Sequence, residues 1–119
     1  MLKNVLAGIA VTDLEKAEVW YDNLFGRAPD TRPMSELVEW RFPDGGWLQV
    51  FVDQTRAGRA SITLVETDFQ RRLEELNALD IKIISVTEGD KVKVCIVNDP
   101  DGNQIVFAQG SAESHRAVT

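Results

Sequence analysis

The chain is 119 residues long, a length that fits one domain able to bury its own core without disulfides or a structural metal. Its composition, 44% hydrophobic and 27% charged, excludes an intrinsically disordered segment. A formal net charge of −6 argues against a nucleic-acid binder, which needs a basic surface to displace counterions, and is compatible with a neutral or cationic small ligand.

In chain order, Asn4–Val11 is apolar and reads as a strand. Thr12-x-x-Glu15 is a capping-box signature opening a helix to about Phe25, with Leu14, Ala17, Tyr21 and Leu24 on one face and Gly26 as its terminator. Two prolines make Ala28–Met34 a loop or weak edge strand. Glu36–Phe42 and Trp47–Asp53 read as strands joined by the turn Pro43-Asp44-Gly45-Gly46. Gln54–Gly58 is a linker. Arg59–Val65 alternates as a strand, and Thr67-x-x-Gln70 caps a second helix to about Leu79 with Phe69, Leu73 and Leu76 inward. Three strands follow, Ile81–Thr87, Lys91–Val97 and Gln104–Ala108, with a polar tail over 110–119. The predicted domain is α+β, with module one over 2–53, linker 54–58 and module two over 59–109.

The two modules are near copies. Thr12-Asp13-Leu14-Glu15 returns 55 positions later as Thr67-Asp68-Phe69-Gln70, and Pro43-Asp44-Gly45 returns 57 positions later as Pro100-Asp101-Gly102. Each module therefore has the order βαβββ.

The lone Cys95, in an apolar run and outside any CxxC, reads as a core thiol of a cytoplasmic protein. No stretch approaches the ~18 apolar residues of a membrane span, and no signal-peptide pattern opens the chain. Asp99-x-Asp101-Gly102-Asn103 lacks the glutamate that a calcium loop needs, and there is no phosphate-binding glycine loop.

Val11-Thr12-Asp13-Leu14-Glu15-Lys16-Ala17, Trp20-Tyr21-x-x-Leu24-Phe25-Gly26 and Asp99-Pro100-Asp101-Gly102-Asn103 together resemble the vicinal oxygen chelate superfamily of glyoxalases, bleomycin-resistance proteins and extradiol dioxygenases. The resemblance spans about residues 2–109. It implies two βαβββ modules whose strands curl into an incomplete barrel, helices outside and ligand inside, and often a homodimer. Its metal enzymes place a His or Glu on the first and last strand of each module.

Carried onto this chain, those positions hold Leu6, Gln49, Ser61 and Val106. Leucine and valine cannot coordinate, and Ser61 and Gln49 are weak neutral donors, whereas a catalytic divalent site needs anionic or imidazole ligands. The family's metal chemistry is expected to be absent, and no other cofactor is indicated. The sole histidine, His115, falls in the tail.

If Gln49 faces the cleft, alternation puts Trp47 and Phe51 there too. A four-residue turn would pair Trp40 with Gln49 and bring Trp40 to the same face. The other strands add Leu6, Gly8 and Ala10, then Arg59, Ser61 and Thr63, then Gln104, Val106 and Ala108. Val5, Ile9, Leu48, Val50, Ile62, Leu64, Ile105 and Phe107 would pack under the helices. The expected ligand-binding set is Trp40, Trp47, Gln49, Phe51, Ser61, Thr63, Leu6 and Val106: aromatic rings to stack and neutral polar groups to orient. Trp20 reads as helix packing, and Glu39 and Arg41 as solvated or interface charges. No nucleophile–base pair is visible, and nothing selects among Glu36, Glu39, Asp53 and Glu66 for acid–base work.

The reading is a metal-free binder of a small aromatic or amphipathic molecule, with a cationic one favoured by the acidic charge. Nucleic-acid and membrane partners are not expected. A lyase, isomerase or dioxygenase of the same superfamily, and a dimeric module without ligand, are the alternatives.

Overall fold

The sequence repeat becomes a repeat of elements. The computed structural model describes residues 1–110 and forms β1 (Leu6–Val11), α1 (Leu14–Phe25), β2 (Thr31–Met34), β3 (Leu37–Arg41), β4 (Trp47–Val52), β5 (Ser61–Val65), α2 (Phe69–Ala78), β6 (Ile83–Glu88), β7 (Val92–Asn98) and β8 (Gln104–Gly110). Each module makes a four-stranded mixed sheet, ordered β1-β4-β3-β2 in the first and β5-β8-β7-β6 in the second. The fold is α+β with two βαβββ modules. The sheet order is the same in both, so each module's first strand pairs with its last. Strand β8 extends to Gly110, into the segment expected as tail, and His115 lies outside the described residues.

Both helices start one residue later than the sequence pattern suggests. The N-caps are Asp13, whose Oδ1 accepts from the Lys16 amide at 3.1 Å, and Asp68, whose Oδ1 accepts from the Arg71 amide at 3.2 Å. An aspartate satisfies an orphan amide of the first turn as well as threonine does. Thr12 is thereby released for another partner: its amide and hydroxyl donate to the two carboxylate oxygens of Asp101 at 3.2 and 2.7 Å. Helix α1 ends at Gly26 with φ +70°, the left-handed geometry a C-terminal glycine supplies.

The described residues divide into two compact units, 1–61 with 99–103, and 62–98 with 104–110. In the first, α1 buries Leu14, Ala17, Tyr21 and Leu24, and Ile9, Val11, Val38, Trp40, Leu48 and Val50 are buried on the strands. Each such large aliphatic or aromatic side chain contributes on the order of 1.5–3 kcal/mol. In the second, Phe69, Leu76, Cys95, Val97, Ile105 and Phe107 form the centre, and Leu73 and Leu64 are half-buried. Val5, expected in the core, precedes β1 and is exposed, because the ladder begins only at Leu6.

The turn Asp99–Asn103 belongs to the first unit, and its polar groups explain why. The buried Asn103 amide nitrogen donates to the Ala10 carbonyl and to Asp99 Oδ2, each at 2.9 Å, while its oxygen accepts from the Ala60 amide at 3.0 Å. Asp99 accepts from the Asn103 amide at 2.8 Å and the Tyr21 hydroxyl at 2.7 Å. Every buried polar atom of this cluster thus finds a partner.

The prolines of 28–34 do not prevent β2, which pairs with β3 at the sheet edge, where Pro33 needs no ladder hydrogen bond. Among the described residues no helix is long and apolar enough to cross a membrane.

Candidate functional site

The parallel pairing of β1 with β4 sets Leu6 beside Trp47, Gly8 beside Gln49 and Ala10 beside Phe51. These residues share the face opposite to Ile9, Leu48 and Val50, which are buried toward α1. Trp47, Gln49 and Phe51 are half-buried there, the placement expected from the sequence. Gly8 lets Phe51 pack closely: a Cβ at that position would stand 3.2 Å from Phe51 Cε1.

Strand β3 is turned over relative to expectation. Leu37 pairs with Phe51, Glu39 with Gln49 and Arg41 with Trp47. The turn runs through five residues, Phe42–Gly46, closed by the Phe42 amide on the Gly46 carbonyl at 2.8 Å and the Gly45 amide on the Phe42 carbonyl at 3.0 Å. One additional residue in a hairpin loop exchanges the faces of the incoming strand. Trp40, expected to stack on a ligand, is therefore in the core. It is fully buried, its ring centroid 5.4 Å from Phe25 and 6.0 Å from Tyr21, with the indole N–H donating to the Arg27 carbonyl at 3.1 Å. Trp20 meets the Tyr21 ring edge-on at 4.7 Å, in keeping with a packing role.

The same inversion brings Glu39 and Arg41 onto the Trp47–Gln49–Phe51 face. Gln49 Nε2 donates to Glu39 Oε2 at 2.7 Å, and the Thr31 hydroxyl donates to Glu39 Oε1 at 2.8 Å. The Arg41 guanidinium lies 6.0 Å from the Trp47 ring centroid and the Arg56 guanidinium 5.4 Å from that of Phe51. Both rings present π-faces that attract cations. Strand alternation already groups Glu39 with Arg41; the five-residue rather than four-residue loop puts that pair on the Trp47 face instead of the opposite one.

The other acid–base candidates have local duties. Asp53 Oδ1 accepts from the Thr55 and Arg56 amides at 3.1 and 3.2 Å, and Glu66 pairs with Arg72 at 2.9 Å. Burial pushes the Cys95 thiol up from its ordinary range, as for a core side chain rather than a nucleophile.

In the remaining strands, Ser61 and Thr63 lie two apart on β5 and are exposed, and Val106 is half-buried on β8 opposite Ile96. The residues at the superfamily's metal positions do not fit a metal. Leu6 and Val106 carry no donor atom, and Gln49 and Ser61 offer only neutral oxygens. Among the described residues no three of His, Cys, Asp and Glu are grouped to hold an ion.

No family model and no curated protein matches the sequence. Solved structures do. A glyoxalase/bleomycin resistance protein from Catenulispora acidiphila is 28% identical, with TM-score 0.81 over 89% of this chain and 96% of its own. Lactoylglutathione lyase from Agrobacterium tumefaciens is 17% identical, with TM-score 0.77 over 91% and 93%. TnmS3, an antibiotic binding protein from a Streptomyces species, is 19% identical, with TM-score 0.77 over 93% and 98%. With its two βαβββ modules and this set of structural relatives, the chain has the fold of the vicinal oxygen chelate superfamily.

Proposed function

We propose that this protein binds a small aromatic or amphipathic molecule, without a metal, on the Trp47–Gln49–Phe51 face of its first sheet. The observation that carries the reading is the composition of that face: two half-buried aromatic rings on either side of a hydrogen-bonded Gln49–Glu39 pair. Rings supply apolar contact area at low entropic cost, and fixed polar groups orient what lies between them. The fold is shared with an antibiotic binding protein, which supports a small-molecule ligand. The donor-poor residues at the superfamily's metal positions favour that branch over the lyase-like one.

A thermal-shift screen of small aromatic compounds tests the reading. A hit present at ~100 times its Kd should add about 2.7 kcal/mol of stability. Trp47→Ala or Phe51→Ala should weaken every hit at least tenfold. Hits indifferent to both substitutions would remove the site from this face. A stoichiometric transition metal retained by the purified protein would remove the metal-free part of the proposal.

A further inference from the structure

We propose that Glu39 sets the ligand class, selecting an aromatic molecule that carries a protonated nitrogen. The inference rests on the binding reading above and assigns the charge that reading leaves open. Glu39 is half-buried, and its two oxygens each accept one hydrogen bond from a neutral donor, Thr31 at 2.8 Å and Gln49 at 2.7 Å. A carboxylate oxygen accepts more than one hydrogen bond, so acceptor capacity remains on both atoms. Among the described residues no cation lies within ion-pair distance of Glu39. Two guanidiniums of this region are placed at rings instead, Arg41 at Trp47 and Arg56 at Phe51. Arg56 also has Asp53 as its ion-pair partner at 4.0 Å.

The face therefore holds one anchored carboxylate with no cation in ion-pair contact, set between two rings that each already have a guanidinium near them. Gln49 adds to this. One N–H of its Nε2 points to Glu39, which fixes the orientation of the amide and leaves its carbonyl oxygen as a second acceptor on this face. An ammonium or amidinium would meet the Glu39 carboxylate and the Gln49 carbonyl, with its planar body packed beside the two rings. A carboxylate ligand would meet Glu39 as a like charge, and a neutral ligand would leave the half-buried charge uncompensated.

The test uses three probes of matched shape, 2-naphthylmethylamine, 2-naphthalenemethanol and 2-naphthoate, titrated calorimetrically at pH 7 and low salt. The wild-type protein should bind the amine at least tenfold more tightly than the alcohol and the carboxylate weakest, with the gap shrinking as salt is added. Glu39→Gln, which keeps an acceptor for Gln49, should abolish the amine preference, the amine and the alcohol then binding within about twofold of each other, a pattern expected from removing charge. Glu39→Asp should retain part of the preference. Equal binding of all three probes by the wild type, or an amine preference that survives Glu39→Gln, overturns the assignment but leaves the binding site standing. Loss of every probe by both variants makes Glu39 structural and also overturns it. Failure of the wild type to bind any probe at millimolar concentration overturns the binding reading itself.

Discussion

The Tyr21 hydroxyl donates a 2.7 Å hydrogen bond to Asp99, a residue 78 positions further along the chain. It joins α1 to the turn before β8 within the first unit. Burial and the Asp99 charge both hold the phenol protonated far above the range in which an exposed tyrosine ionises.

That shift has a defined sign. A group whose pKa is raised on folding stabilises the fold fully below its unfolded value, ~10 for tyrosine, and loses that contribution as pH rises above it. Tyr21 is the only tyrosine. We expect no phenolate absorbance near 295 nm while the protein is folded, and a single step coincident with alkaline unfolding. Phenolate signal from folded protein would contradict the geometry. Tyr21→Phe should remove this contribution and cost about 1–3 kcal/mol at pH 7 in urea unfolding.

Asn103 should be less replaceable than its small size suggests. Asn103→Ala strips partners from Ala10, Ala60 and Asp99 at once, all in a buried setting. The expected loss is about 3 kcal/mol or more. Asn103→Asp should be no better, because it sets a second carboxylate against Asp99. Denaturant midpoints of the two variants check this.

Gly58 and Gly45 offer a paired comparison. Both have positive φ, +82° and +98°, but a Cβ at Gly58 would clash with the Asp101 carbonyl oxygen while one at Gly45 meets nothing within 4 Å. Gly45→Ala should cost about 1–2 kcal/mol, the left-handed backbone penalty alone. Gly58→Ala should exceed it clearly in the same unfolding assay.

Trp40 and Trp47 should separate stability from binding. Trp40→Ala should cost about 3–5 kcal/mol, since it opens a cavity under α1. Trp47→Ala should cost much less and act on ligand affinity instead. A mild Trp40 variant with lost binding would reverse the assignment of the two faces.

Cys95, the sole cysteine, is fully buried. Ellman's reagent should find no thiol in the folded protein and one per chain after denaturation.

Much of this was legible in the residues. The helix faces, the β3–β4 hairpin and the placing of Leu6, Gly8, Trp47 and Gln49 on one face follow from alternation and from the repeat. The face of β3 did not, because a Pro-Asp-Gly-Gly segment reads as a four-residue loop when Phe42 is counted into the strand. The second copy held the missing signal. There β7 and β8 pair Asn98 with Gln104 around the five residues Asp99–Asn103, a register pinned by Cys95 against Phe107 and Val97 against Ile105 in the core. Moved back by the same offset of 57, Asn98 and Gln104 become Arg41 and Trp47. Trp40 then falls among the core residues and Glu39 beside Gln49. The N-caps were misread for a different reason: Thr12 and Asp13 are both competent caps, and only the demand of Asp101 for a donor decides between them.

The two five-residue turns share one backbone, with Gly45 and Gly102 at φ +98° and +93° and the same pair of closing hydrogen bonds, yet they have different tasks. The earlier one carries Phe42 and closes its own hairpin; the later one carries Asp99 and Asn103 into the unit built by residues 1–61. A gene cut between the modules would therefore not yield a first half that can fold as it does here. The N-terminal fragment would lack the acceptor for Tyr21 and the amide that ties Ala10 to Ala60. Fission of this protein would need the second fragment, or a short peptide spanning 99–103, to be supplied in trans.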